Sequence, residues 1–445
     1  MSDKGAAGAN PRIAYLTGEY PRASMTFVLR EVAALRRQGL DVLTCAVRRT
    51  GAADLIGPEE EDAARETFYV LSRARNPLAL LGDHAAALAA APGRYMRAAA
   101  LAARTARPGL RGALWQVFYF LEAAVLTRHL RRRGATHLHN HFATSSASLA
   151  MIASEMSGLP YSFTLHGPAD LFDPRGWRLD EKVARARFVV CISHFARSQA
   201  MLWSDRRHWP KLHVVHCGVE LDRYGGGVPR APGTGLELLF VGRLVGVKGL
   251  FVLLEALARL GQRDLRLTLI GDGADRAALE AEARRLGVEA RFLGYRSQSE
   301  VADALREADA LVLPSFAEGV PVVLMEAAAS GLPVVATRVA GVEELVRDGE
   351  SGIVVPPGDA AALAGALERL AGMPFEIRRK IGQAGRAIVE TGFDLDVEAS
   401  KLAALFRSDR QEGGNVPGPA VPGAARAESA EPGEGARGIR SRDGS

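Results

Sequence analysis

The chain has 445 residues, 48% of them hydrophobic, and a formal net charge of +5. That length and apolar content suit two or three domains with real cores and exclude one small domain, while so modest a charge gives no expectation of a nucleic-acid partner. The three cysteines, Cys45, Cys191 and Cys217, are odd in number and sit in apolar, strand-like contexts without metal spacing, so they read as reduced, buried thiols of a cytosolic protein.

Residues 1–10 lack an apolar core and a cleavage pattern and read as a flexible start without a secretory leader. Arg12 to Thr17 reads as a strand, Gly18 to Met25 as a loop, Thr26 to Gln38 as a helix stopped by Gly39, and Asp41 to Val47 as the next strand. This order begins a parallel, doubly wound sheet. The loop has no G-x-G-x-x-G, so a nicotinamide dinucleotide is not indicated.

Residues 76–133 form a mostly helical insertion, broken at Pro92-Gly93 and Pro108-Gly109. Its most apolar stretch, Leu78 to Ala91, is interrupted by Asp83 and His84 and is too short to span a membrane. From Arg94 to Arg133 nine arginines face one acid, Glu122, with Trp115, Phe118, Tyr119 and Phe120 interleaved. An anionic membrane surface is the partner such a basic, aromatic segment would fit; the competing reading is arginines that merely solubilise exposed helices.

Strands return at Thr136 to Phe142, Tyr161 to Leu165 and Phe188 to Ile192, with a helix at Ser145 to Ser157. His137, His139 and His141 share one face of their strand, but no Cys or carboxylate is spaced to complete a zinc site, so no metal is expected and they read as strand-end residues lining a cleft. After a last strand near Lys211 to His216, the Gly/Pro-rich residues 223–235 read as a hinge. It separates a first domain, residues 11–222, from a second, residues 236–393, whose strands are expected at 236–241, 265–270, 291–293, 310–313, 333–336 and 353–355. The fold class is α/β: two doubly wound Rossmann-like domains facing across a cleft, with ligands held beyond the carboxyl ends of the strands. Residues 394–407 read as a terminal helix that returns to the first domain, capped by Asp394 and Asp396 rather than binding metal there. Residues 408–445 read as disordered.

The second domain's first strand ends in Gly242-Arg243-Leu244-Val245-Gly246-Val247-Lys248-Gly249, where Arg243 and Lys248 could neutralise a diphosphate. Further on, Ser315 to Glu326 sets Glu318 on a loop and Glu326 inside the helix expected over Pro321 to Ser330. Amides at Gly319 and Val320 would face an anion, Glu318 would accept sugar hydroxyls, and Glu326 would take both hydroxyls of a ribose. The plainer alternative is a solvated loop glutamate and a helix-surface glutamate. A lone histidine such as His166 is more often structural than catalytic.

Val241 to Gly249, Gly271-Asp272-Gly273, Phe292-Leu293-Gly294-Tyr295 and Pro314 to Val335 resemble the donor domain of retaining glycosyltransferases of family 4, which have the GT-B fold, and residues 236–406 match throughout. The first half resembles the family more loosely, through Glu19-Tyr20-Pro21, Phe163 to Asp170 and His216 to Val219, with the flavour of bacterial exopolysaccharide and colanic-acid-type transferases. The resemblance implies a nucleoside-diphosphate sugar and a glycan or lipid-linked glycan as partners, and no cofactor; the thiols and the basic, aromatic segment from Arg94 to Arg133 give the expectation of a cytoplasmic place, peripheral on the inner face of the plasma membrane. It implies that Arg243 and Lys248 hold the diphosphate, Glu318 the hydroxyls near the anomeric centre and Glu326 the ribose, with the backbone at Gly294 and Tyr295 against the base. Gly18 would approach the phosphate, although Glu19 stands where the family often has a second glycine; Ala274 replaces a common proline. His166 would point at the donor sugar, with Asp170 and His141 on the acceptor side. Attack on the face that the nucleotide leaves is the implied mechanism. A nucleotide-sugar epimerase, a glycan phosphorylase or a non-catalytic derivative on the same fold are the alternatives.

Overall fold

The computed structural model describes residues 10–22, 25–55, 57–224, 235–261 and 264–412. The expected flexible start, most of the hinge and nearly all of the disordered tail fall outside the described residues.

The first half runs β1 (Arg12–Glu19), α1 (Thr26–Arg37), β2 (Asp41–Arg48), α2 (Pro58–Glu66), β3 (Phe68–Tyr69), α3 (Val70–Ala74), α4 (Pro77–Ala90), α5 (Pro92–Arg104), α6 (Leu110–Arg133), β4 (His137–His141), α7 (Ser145–Ser157), β5 (Tyr161–Leu165), α8 (Leu179–Arg185), β6 (Val189–Cys191), α9 (His194–Leu202) and β7 (Leu212–Val214). Its seven strands are all parallel in the order β3-β2-β1-β4-β5-β6-β7. Helices cover both faces of such a sheet, so its strands read as apolar runs. β4 is the exception: His137, Leu138, His139, Asn140 and His141 are all buried. The register explains how polar rings survive there. β5 sets Ser162 beside His139, and the Ser162 hydroxyl lies 2.7 Å from both His137 Nε2 and His139 Nδ1, while Thr164 Oγ1 lies 2.9 Å from His139 Nε2. Every buried polar atom so paired avoids a desolvation penalty.

The second half runs β8 (Leu236–Val241), α10 (Leu250–Leu260), β9 (Leu265–Ile270), α11 (Arg276–Leu286), β10 (Ala290–Phe292), α12 (Gln298–Glu307), β11 (Ala310–Leu313), α13 (Val322–Ala329), β12 (Val334–Thr337), α14 (Val342–Leu345), β13 (Ile353–Val355), α15 (Ala360–Gly372), α16 (Phe375–Gly392) and α17 (Leu395–Glu412). Its six parallel strands are ordered β10-β9-β8-β11-β12-β13. In each sheet the strand order reverses beside the first strand, between β1 and β4 and between β8 and β11, which is where crevices open in this architecture. Two differences from the expected elements have simple causes. β3 has two residues, too few to alternate, and α17 continues past the expected stop at 407 because the Ser-Asp-Arg-Gln-Glu stretch after Arg407 contains no helix breaker.

α17 leaves the second half and packs on the first. Leu395, Ala399, Leu402 and Phe406 join Ile13, Tyr15, Val28 and Leu35 in one core, and Arg37 pairs with Asp396 at 2.9 Å. Val219 N donates to Phe393 O and Leu395 N to Val219 O, so the chain crosses between halves on paired backbone. Phe406 is 2% exposed and meets Tyr15, His137, His139 and Phe188 through its ring. Phe406→Ala is therefore expected to cost about 3–5 kcal/mol in denaturant unfolding, as for other buried aromatics; a loss under about 1 kcal/mol would show that packing does not hold the helix.

Candidate functional site

A cavity of about 1120 Å³ lies between the two carboxyl edges. On the second-half wall, the turn after β8 ends at Gly249, whose φ of +66° suits glycine and where a side chain would collide with the Pro314 carbonyl. This close approach brings Lys248 Nζ to 2.6 Å from Glu318 Oε1, which also accepts from Ser315 Oγ at 2.6 Å. The Glu318 carboxylate is 9% exposed, and Arg243 is an exposed cation on the same wall. Gly319 and Val320 line the cavity just before α13, whose N-cap is Pro321 rather than the expected first helical residue. A side chain at Gly319 would strike the carbonyl oxygen of His166, so this glycine also permits the two halves to touch. Tyr295 lines the cavity, and Gly294 stands behind it, its carbonyl accepting from Gly271 N at 2.8 Å. Gly18 lines the opposite wall with open space where a side chain would stand.

Glu326 is engaged in a way that the sequence did not reveal. Its Oε1 lies 2.8 Å from Arg30 Nη2 and accepts from the Tyr224 hydroxyl at 2.8 Å. Arg30, on α1 of the first half, also donates to Gln298 Oε1 and to Tyr224. Burial opposes the charge on Arg30, but Glu326 beside it more than compensates and holds its pKa above the ordinary value. No motif marks Arg30 or Tyr224.

The first-half wall brings His166, Asp170 and His141 together. His166 lines the cavity, and its Nε2 lies 2.9 Å from His141 Nδ1. Burial, aided by His141, keeps the His166 pKa well below its usual value, so the ring is neutral. Asp170 is fully buried behind the cavity lining: its oxygens accept from Ala143 N at 2.7 Å and His166 N at 2.9 Å, so it anchors the loop that carries His166. Burial raises its pKa to about 6 against the lowering by these amides. His141 is likewise buried, between His166 and Glu31, whose Oε1 lies 3.3 Å from His141 Nε2 and accepts from Tyr15 at 2.7 Å. Glu31 is also the carboxylate that spacing did not supply for the histidines: atoms of Glu31, His139 and His141 lie within 4.8 Å of one another. Both ring nitrogens of His139 are nonetheless held by Ser162 and Thr164.

The helical insertion forms the far end of the cavity. Arg107, Arg111, Trp115, Tyr119 and Glu122 line it together with Trp177. Burial pushes the Glu122 carboxyl up to about 7, with Arg48 lowering it in part. Arg107 stacks on Trp177 at 4.3 Å and donates to Gly176 O, tying the insertion to the loop after β5.

A second link crosses the cleft. Glu344, on α14, accepts from the amides of His194 and Phe195 at 3.0 and 3.1 Å, capping α9 of the other half. It also lies 3.7 Å from His216, which stands 3.9 Å from Glu398 of α17. Burial disfavours the His216 charge, but these carboxylates outweigh it and raise its pKa to about 9. A folded-state pKa above the ordinary 6.5 means stability fully present below pH 6.5 and lost as pH rises through about 9. The melting temperature should therefore fall from pH 7.5 to pH 10 in the native chain, and His216→Gln should flatten that fall; an equal fall in both would contradict this linkage.

Two family descriptions match the sequence: "Glycosyltransferase Family 4" over residues 24–223 and "Glycosyl transferases group 1" over residues 228–388. The chain is 34% identical over 208 residues to the putative colanic acid biosynthesis glycosyltransferase WcaL of Escherichia coli, covering 44% of this chain and 51% of that protein. It is 32% identical to the D-inositol 3-phosphate glycosyltransferase of Streptomyces scabiei over 60% of this chain and 67% of that protein. The chain spans about half the length of the first of these curated relatives. Among solved structures, Anabaena Alr3699/HepE in complex with UDP-glucose superposes with a TM-score of 0.66 at 18% identity, covering 89% of this chain and 99% of that one. This likeness is one of fold, the two-sheet GT-B architecture.

Proposed function

The chain belongs to the glycosyltransferases that those two descriptions, Family 4 and group 1, define, and from that premise we propose that it moves a sugar from a nucleoside-diphosphate sugar to a glycan or lipid-linked glycan with retention of anomeric configuration, in exopolysaccharide-type synthesis. The observation that carries the reading is the Lys248–Glu318 pair at 2.6 Å, beside Arg243 and the start of α13, on a cavity wall that faces His166.

In this reading Arg243, Lys248 and the amides of Gly319 and Val320 surround the diphosphate. As the bond from sugar to phosphate breaks, the electron pair leaves on the phosphate oxygen, and preorganised cations and amides stabilise the charge that develops there. The same groups meet that charge without calling on a metal or a cofactor. Glu318, oriented by Lys248 and Ser315, accepts sugar hydroxyls and faces the positive charge at the anomeric carbon; it is not the nucleophile. The acceptor oxygen attacks the face that the phosphate leaves, and its proton passes to the departing phosphate oxygen. His166, being neutral, offers a hydrogen bond to the sugar rather than a charge, and Asp170 and His141 set its position. Gly18 leaves room for the phosphate on the first-half side, while Tyr295 and the backbone at Gly294 face the base. Glu326 takes the ribose hydroxyls while Arg30 and Tyr224 keep its Oε1.

A cytoplasmic place, peripheral on a membrane, belongs to the same reading; no helix among the described residues is long and apolar enough to cross one.

Glu318→Ala and Lys248→Ala are each expected to lower turnover at least ~100-fold, in the range of a lost electrostatic contact to the transition state. Melting curves should stay close to those of the native chain. Release of nucleoside diphosphate from a panel of nucleotide-sugars, with NMR of the product anomer, checks both points. Near-native turnover in both variants would remove the site assignment, and an inverted product would remove retention.

A further inference from the structure

Phe142, the residue after β4, has a φ of +71°, a left-handed backbone that a bulky side chain adopts only under strain. Strain of this kind persists where the surroundings enforce it, and the turn over residues 142–144 is gripped by three buried side chains. Asn140 Nδ2 donates to Phe142 O at 2.5 Å, and Asp170 Oδ1 accepts from the Ala143 amide at 2.7 Å. Lys182, on α8, donates through Nζ to Ala143 O at 2.6 Å and to Thr144 O at 2.8 Å. What the strained turn delivers is a ring against a ring: Phe142 meets His166 at 4.6 Å between centroids, and Phe27 meets it at 4.9 Å. Phe142 and Thr144 line the cavity with His166, whereas Lys182 does not reach it.

Lys182 is 0% exposed, and a fully buried amine costs more than an apolar side chain of its length would. Packing alone does not call for it. Burial lowers its pKa to about 7, with Asp170 opposing the fall, Arg107 adding to it and Asp180 opposing it; the Trp177 ring stands 5.5 Å from Nζ. Protonated or neutral, the amine has the two N–H groups that the two carbonyls take. We propose that Lys182 is a positioning residue for the transfer: with Asp170 it clamps the turn over residues 142–144, and through Phe142 it fixes the ring of His166 at the cavity. Asp170 couples the two loops directly, because its second oxygen accepts from His166 N at 2.9 Å. A hydrogen bond offered by a neutral ring depends on the ring's direction, so the clamp acts on turnover. It leaves nucleotide affinity alone, since Arg243, Lys248 and Glu318 stand on the other wall. The effect on turnover rests on the transferase reading; the effect on the His166 ring does not.

Lys182→Met removes the clamp and keeps the length of the side chain. Nitrogen NMR of isotope-labelled histidines, with the His166 signals assigned by their loss in His166→Gln, reads the ring. Calorimetry with UDP, GDP and ADP reads the nucleotide wall, and release of nucleoside diphosphate from UDP-glucose, GDP-mannose and ADP-glucose reads turnover. In Lys182→Met the His166 signals should shift, turnover should fall at least ~tenfold through the misplaced ring, and diphosphate affinity should match the native chain. Phe142→Gly gives the strained position the residue that suits it and removes the ring, so it should fold and lose turnover likewise. A folded Lys182→Met with His166 signals in their native places, or with diphosphate affinity lost in step with turnover, would overturn the proposal. If Lys182→Met does not fold, native-level turnover in Phe142→Gly would overturn it instead. A native chain that turns over none of these nucleotide-sugars would count against the transferase reading, and the His166 signals of Lys182→Met would still decide the clamp.

Discussion

The buried ion pair between Arg30 and Glu326 is the interaction on which the relation of the two halves turns. Side chains at 3% and 9% exposure cannot be charged and unpartnered without a large desolvation cost, so each requires the other. Tyr224 completes the set by bonding both groups and Gln298 by accepting from Arg30, and the four residues come from four separate stretches of chain. Removing one member of such a pair typically costs about 3–5 kcal/mol because the other is left as an uncompensated buried charge. The carboxylate assigned to a ribose is thus also a joint between the halves.

The helix that carries Arg30 explains why this joint reaches the rest of the site. The next residue, Glu31, lies against Tyr15 and His141, and His141 against His166, so one helix sets both the cross-cleft pair and the orientation of the ring at the cavity. The second link, Glu344 on the amide end of α9 with His216 and Glu398, lies apart from the nucleotide wall and ties α17 to both halves. Between these links, Gly319 sits against the His166 carbonyl, close enough that a side chain would force the halves apart. The cavity thus has one wall from each half, held in register by charge pairs.

Much of this was legible from residue patterns. The parallel strands were, because strands covered on both faces become apolar runs bounded by turn residues, as in Ala310–Leu313 and Leu236–Val241. The Lys248 and Glu318 neighbourhood was legible because glycines and charges cluster at strand ends, where side chains converge. The roles of Asp170 and His141 were not: a carboxylate that anchors a loop by accepting backbone amides reads in sequence like one that faces a substrate, and only burial distinguishes them. Arg30, Tyr224 and Glu344 were silent for another reason. Each finds its partner across the cleft, and neither periodicity nor spacing encodes a contact between two separately folded layers.

The central claim is that Glu326, held through Oε1 by Arg30 and Tyr224, also takes the two hydroxyls of a ribose when a nucleotide enters. Calorimetric affinities for a nucleoside diphosphate and for its 2′,3′-dideoxy analogue, in the native chain and in Glu326→Gln, measure this directly. Hydrogen bonds to a charged group contribute about 1.5–3 kcal/mol, so the native chain should bind the dideoxy compound at least ~tenfold more weakly, and Glu326→Gln should discriminate far less. Equal binding of the two compounds by the native chain would contradict the ribose contact and leave the Arg30–Glu326 pair as a purely structural joint.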